Sequence, residues 1–289
     1  MIATSPGTAS TAGSKAAPAD HRTWPERLSG PNPLVMGVLN VTPDSFSDGG
    51  RFLAPVDALA QASRMATEGA DIIDIGAEST RPYGSKPITA DEERRRLEPI
   101  LREIVSLGVD VSIDSMKSEV VAWALDNGAV IANDVWGLQR DPDMARLVAD
   151  RHCPVVIMHN RNDADPTIDI MKDIVQFFER SLAIAEKSGI LHENIVLDPG
   201  IGFGKTQEQS ITVLGRLPDF DRFNLPLLVG ASRKRFIAAV SPSEPHQRLG
   251  GSIAAHLIAA KAGAKIIRTH DVAETVQALC VAKAIWDKQ

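Results

Sequence analysis

Residues 110–134 read DVSIDSMKSEVVAWALDNGAVIAND. A short apolar run at 110–113 ends on the acid Asp114, a helix-like segment follows and stops at Gly128, and a second short run at 129–132 ends on Asn133. Run, helix and run in that order make a βαβ unit, the unit of a parallel sheet. Outward from it the same pattern recurs, with runs at 34–39, 71–75, 154–158, 194–197, 226–229 and 265–267. Eight runs alternating with helix-like segments, without a break in composition, predict an α/β chain folded as a (β/α)8 TIM barrel over residues 34–289. A doubly wound open sheet is the alternative, because alternation alone does not show closure.

The intervening segments carry helix signals. Thr89 with Glu92 predicts a capping box. Leu97, Ile100, Leu101, Ile104 and Val105 behind it predict one continuous core-facing stripe. Asp141-Pro142 predicts an N-cap with proline at the first helical position. Thr206 with Gln209, and Asp271 with Glu274, repeat the capping logic. Gly128, Gly189 and Gly263 stand where helices should stop.

Composition narrows the class. The 289 residues are 44% hydrophobic but only 4% aromatic, so aliphatic side chains fill the core. A net charge of -6 without a basic run excludes the footprint of a general nucleic-acid binder. Cys153 and Cys280 show no zinc spacing and read as small buried hydrophobes of a reducing compartment. The apolar stretch 252–267 is interrupted by His256, Lys261 and Lys265, so it predicts no membrane span. The expectation is a cytoplasmic protein without membrane contact. Sixteen of the first nineteen residues are Ala, Ser, Thr, Pro or Gly, and residues 1–33 are expected to form a disordered or poorly ordered tail.

Polar residues cluster at the carboxyl ends of the predicted strands, where barrel active sites lie. They are Asn40, Glu78, Asp114, Asn133, His159, Asp198, Ser232 to Lys234, Arg268 and His270. Two long connections, 41–54 and 77–88, read as candidate lids. They carry Thr42, Asp44 and Asp48, and then Ser79, Thr80 and Arg81. The glycine-rich stretch 200–206 fails as a phosphate loop, because Pro199 stands where Walker A needs glycine and Lys205 breaks the dinucleotide pattern. His159 and Asn160 lack a second ligand at metal spacing. Phe177-Phe178 reads as core.

Seven motifs, in order from about residue 34 to the C-terminus, resemble those of the dihydropteroate synthase family. They are VMGVLNVTPDSFSDGG (35–50), DIIDIGAESTRP (71–82), SIDSMK (112–117), NDV (133–135), DPGIGFGK (198–205), GASRKRF (230–236) and RTHDV (268–272). The resemblance implies a (β/α)8 barrel that joins 7,8-dihydropterin-6-ylmethyl diphosphate to 4-aminobenzoate and releases pyrophosphate. It further implies that Asp198, Asp114, Asn133 and Lys234 hold the pterin. Arg81, Arg268 and His270 would meet the diphosphate, Thr269 would be a further substrate-binding residue, and Asn40 would ligate a magnesium ion (Mg2+). Thr80, Pro82, Ser232 and Phe203 would line the aminobenzoate pocket. The catalytic group on this reading is Asp114, Asp198, Lys234, Arg268 and His270, in a homodimer, with sulfonamide inhibition a family trait. The chain departs from the family pattern at Ala77, at Tyr83 and over His159–Arg161. The alternatives are a degenerate pterin-binding paralogue and a pterin-binding methyltransferase module.

Overall fold

A computed structural model of the chain describes residues 23–41, 55–78 and 87–288. Among them a short helix α1 (Trp24–Leu28) precedes strand β1 (Leu34–Asn40), and α2 (Pro55–Thr67) leads to β2 (Ile72–Gly76). Helices α3 (Ala90–Leu97) and α4 (Leu101–Val105) precede β3 (Asp110–Asp114), and α5 (Ser118–Asp126) precedes β4 (Ile131–Asp134). Next come α6 (Met144–Arg151), β5 (Val155–Met158), α7 (Ile170–Ser188) and β6 (Ile195–Asp198). Last are α8 (Gln207–Gly215), β7 (Leu228–Val229), α9 (Arg235–Val240), α10 (Leu249–Lys261), β8 (Ile266–Thr269) and α11 (Val272–Trp286).

The strands are all parallel, in the order β6-β5-β4-β3-β2-β1-β8-β7. A parallel bridge between Leu197 and Leu227 joins the two ends and closes the ring. The fold is the (β/α)8 barrel expected, and the open sheet is excluded.

The strand period of two sorts every side chain. Val35, Ile73, Ile75, Val111, Ile113, Val155, Ile157, Leu197 and Val229 pack outward against the helices. Leu34, Met36, Ile72, Ile131, Val156, Val196, Leu228 and Ile266 form a separate cluster inside the barrel. Two residues further along β2, β4, β6 and β8, the same inner face passes to Asp74, Asn133, Asp198 and Arg268. The barrel is therefore apolar at its amino end and polar at its carboxyl end.

Several local expectations are corrected. Residues 23–33 carry the short helix α1 and its connection to β1. Thr23 and Glu26 close a capping box, Leu28 joins the inner cluster, and buried Arg27 pairs with Asp110, so α1 plugs the barrel floor. Residues 1–22 lie outside the described residues. The core-facing stripe over Leu97–Val105 holds, with Leu97, Ile100, Leu101 and Ile104 fully buried, but the helix beneath it is broken between α3 and α4, since Pro99 has no N–H to donate and its ring excludes a continuous helix. Thr89 caps Glu92 N at 3.2 Å, but the Glu92 carboxylate turns to Arg95 and Arg96 instead of closing the box. The Thr206–Gln209 box does close. Asp141 does not cap α6. It accepts from Ser118 N at 2.7 Å and Asp143 N at 2.9 Å, fastening the preceding loop to α5. Asp271 makes no cap bond because its carboxylate pairs with Arg233. Cys153 is buried as expected, whereas Cys280 is exposed. Among the described residues no helix is long and apolar enough to cross a membrane.

Candidate active site

The barrel mouth holds a cavity lined by side chains that include Asp114, Asn133, Asp198, Phe203, Lys234 and Arg268. These come from the ends of β3, β4, β6 and β8 and from the loops after β6 and β7. Six residues named on sequence grounds therefore face one space. They converge because neighbouring parallel strands register Asp114 beside Asn133, while Asp198 ends the strand beside Met158.

A residue not singled out from the sequence organises this layer. Asp74 is fully buried in mid-β2, and its Oδ2 accepts from Arg268 Nε at 2.7 Å and Asn133 Nδ2 at 3.0 Å. Arg268 Nη2 donates to Asp114 Oδ2 at 3.0 Å. One guanidinium thus bridges two buried acids. The signal was available: a carboxylate inside the apolar run Ile72–Ile75 has no place in a buried strand without a partner. Asp74 Oδ1 and Asp114 Oδ1 are buried with no hydrogen-bond partner in the described structure.

The charges respond to burial. Burial first, then the charge of Asp74, pushes the Asp114 carboxyl up, while Arg268 opposes both. Burial likewise pushes Asp198 up; the Gly200 N–H, which reaches its Oδ1 at 2.7 Å, and the charges of Lys234, Arg268 and Lys205 oppose. Lys234 Nζ lies 4.0 Å from the Phe203 ring centroid, a cation–π contact at the cavity wall.

His270, one residue beyond β8, is a neutral hydrogen-bonding group. Burial, then Arg268, Arg233 and Lys234, depress it to about 3, so the ring is neutral near pH 7. Ser232 Oγ accepts from His270 N at 3.2 Å and lies 3.0 Å from His270 Nδ1. Where the hydroxyl donates to Nδ1, Nε2–H is left as a hydrogen-bond donor. Ser232 holds His270. Thr269 is fully buried and bonds Asp271 N at 3.1 Å and Thr275 Oγ1 at 3.0 Å, which ties β8 to α11. Glu78 is occupied by Lys117, which also meets Glu93 Oε2 at 2.7 Å. Asn40 is half-buried at the end of β1, beside Gly76. Thr80, Arg81, Pro82 and Tyr83, with Thr42, Asp44, Phe46, Asp48 and Ser79, lie outside the described residues.

A family model described as pterin binding enzyme matches residues 36–270. The chain belongs to the pterin-binding enzyme family. The dihydropteroate synthase of Bacillus subtilis is 41% identical over 256 residues, covering 88% of this chain and 89% of that protein. A probable bifunctional folylpolyglutamate synthase/dihydropteroate synthase of Haloferax volcanii is 45% identical over 259 residues, and there the chain spans only 30% of its relative. Among solved structures, a Clostridium difficile dihydropteroate synthase in the presence of pteroic acid superposes with a TM-score of 0.83 at 44% identity. It covers 88% of this chain and 97% of that one. A Xanthomonas albilineans dihydropteroate synthase with 4-aminobenzoic acid reaches a TM-score of 0.84 at 42% identity, covering 90% and 94%.

Proposed function

We propose that this chain is a dihydropteroate synthase: it transfers the 7,8-dihydropterin-6-ylmethyl group from its diphosphate to the amine of 4-aminobenzoate. The observation that carries the reading is the layer Asp74, Asp114, Asn133, Asp198, Lys234 and Arg268, closed into one cavity in a chain of this family.

A pterin offers an amino group and a ring N–H on one edge, and the Asp198 carboxylate suits both as a two-oxygen acceptor. Asn133 gives one N–H to Asp74, so its oxygen and second N–H face the ligand. The orphaned Asp114 Oδ1 accepts a further ring N–H. The C–O bond to the diphosphate then breaks and the leaving group takes the electron pair. Positive charge spreads into the pterin, and the fixed carboxylates of Asp114 and Asp198 stabilise it. The neutral aromatic amine forms the new C–N bond and its surplus proton goes to solvent. His270 Nε2–H and the loop cation Arg81 serve the departing pyrophosphate. The amide oxygen of Asn40 is the hard neutral donor that Mg2+ accepts, and one such ligand suffices for an ion that keeps its waters. Bound there, magnesium would supply charge neutralisation for the leaving group.

Equilibrium binding tests this reading against a methyl-transferring one. The diphosphate ester with magnesium should bind more tightly than the free 6-hydroxymethyl pterin, and removal of magnesium by chelation should weaken the ester alone. Preference for a methylated reduced folate over the ester would refute it.

The pH dependence follows from Asp114. Its folded form keeps a proton into a range where the unfolded form has lost it, so its contribution to stability falls as pH rises through that window. Catalysis needs the ion, so kcat/KM should rise with pH above the ordinary carboxylate range. Since the charge of Asp74 helps push Asp114 up, Asp74→Asn should move that limb to lower pH. A limb that stays in place would break the link.

A homodimer belongs to the same proposal, supported by the exposed Ile258, Val281 and Ile285 on the adjacent helices α10 and α11. Sedimentation equilibrium should return twice 31.1 kDa; a monomer at micromolar concentration would contradict it.

A further inference from the structure

Lys205 is a buried cation that the mechanism above leaves unused. It lies at the end of the glycine-rich turn after β6, whose motif sequence reading rejects as a phosphate loop. Its Nζ meets three acceptors: His159 Nδ1 at 2.7 Å, Gly200 O at 2.8 Å and Phe203 O at 3.1 Å. That is one for each N–H of an ammonium. Burial pulls this ammonium down to about 7, with the charge of Asp198 pulling the other way, and the acceptor set favours the charged form.

Beyond Lys205 the chain of contacts continues. Because His159 Nδ1 accepts, its Nε2–H donates to Asp173 Oδ2 at 3.0 Å, and the tautomer is set. Asp173 Oδ1 accepts from Arg161 Nη1 at 2.9 Å. His159 itself is fully buried, with its ring edge-on to Phe177 and its N–H on Asp198 O at 2.9 Å. The relay therefore runs beneath the strand end that carries Asp198.

The turn needs fastening. Gly200 and Gly204 both adopt positive φ, and a Cβ on either would collide with His159 O or with Arg161 Cβ. Glycine permits this close approach at an entropic cost, since it loses more backbone freedom on folding than other residues. Two carbonyls of the turn, those of Gly200 and Phe203, end on the same ammonium. Between them the Gly200 N–H bonds Asp198, and the Phe203 ring stands against Lys234.

We propose that Lys205, steadied by His159 and Asp173, is a positioning residue of the pterin cavity: it holds the turn so that Phe203 lies against Lys234 and Gly200 N–H against Asp198. It touches no substrate and acts through these neighbours. The inference rests on the reading of the cavity as the pterin site.

The test is a double-mutant cycle read by titration of the pterin diphosphate with magnesium, alongside thermal denaturation of each variant. Lys205→Met is expected to weaken binding about tenfold, the scale of one hydrogen bond to a charged group. Phe203→Ala should weaken it too. The two losses should add to less than their sum in the double variant, because part of the effect of Lys205 passes through Phe203. Wild-type affinity in Lys205→Met, or strictly additive losses, would overturn the proposal. Should Lys205→Met not fold, Asp173→Asn replaces it in the cycle, because that carboxylate is partly exposed and far easier to change. It should weaken binding about threefold, the low end for one hydrogen bond, and be non-additive with Phe203→Ala. Unchanged affinity there overturns the proposal equally. Failure of the wild-type chain to bind the diphosphate would instead overturn the functional reading itself, before any variant is compared.

Discussion

Arg268→Met is expected to cost about 3–5 kcal/mol of folding stability, the scale for stripping the partner from a buried charge, and to abolish synthesis. The guanidinium bridges Asp74, which has no exposed surface, and Asp114, which is nearly as buried. Without it two carboxylates face each other in a medium of low dielectric, and one must take up a proton. The stability deficit should therefore be larger at pH 8 than at pH 5, where protonation relieves the repulsion. Urea denaturation at the two pH values checks the sign. The double variant Asp74→Asn with Arg268→Met should recover part of the loss, because it removes one of the stranded charges. A deficit below about 1 kcal/mol, the range of an exposed ion pair, would show that the bridge does not hold the floor of the site.

Asp198→Asn is expected to act in the opposite way, damaging binding while sparing the fold. The amide keeps the shape of the acid, and its oxygen can still accept from Gly200 N–H. Burial already disfavours the ionised form, so removing the charge should leave stability unchanged or slightly raised. Against the pterin edge, however, an NH2 replaces one acceptor oxygen and meets another donor. Pterin affinity should fall about a hundredfold, the loss of one or two hydrogen bonds to a charged group. Calorimetric titration decides it. Binding within threefold of wild type would mean that Asp198 is not the pterin acceptor.

These two variants separate what was legible in the sequence from what was not. The runs are short, apolar and evenly interleaved with helices, and a parallel sheet leaves few other arrangements. Asp114, Asn133, Asp198 and Arg268 were legible because each stands at or beside the end of such a run, where the inner face meets the mouth. Asp74 escaped because it lies two residues before the strand end, among isoleucines, and its partners are 59 and 194 residues away. Nothing local marks a mid-strand acid as paired. Lys205 escaped for a related reason: its role is set by His159, just past the end of β5, and by backbone carbonyls of its own turn. The break between α3 and α4 was legible in Pro99, but the hydrophobic stripe runs through it because both short helices bury the same face. His270 keeps its predicted place just beyond β8, while its neutral state was not legible, since burial is a property of the fold and not of the residue.

The claim that the polar layer at the barrel mouth carries the condensation is tested most directly by pyrophosphate release from the purified chain. The reaction contains pterin diphosphate, 4-aminobenzoate and magnesium, and each is omitted in turn. Release is predicted to require all three and to match dihydropteroate formed mole for mole. Release at the same rate without 4-aminobenzoate, or none with all three present, would contradict it.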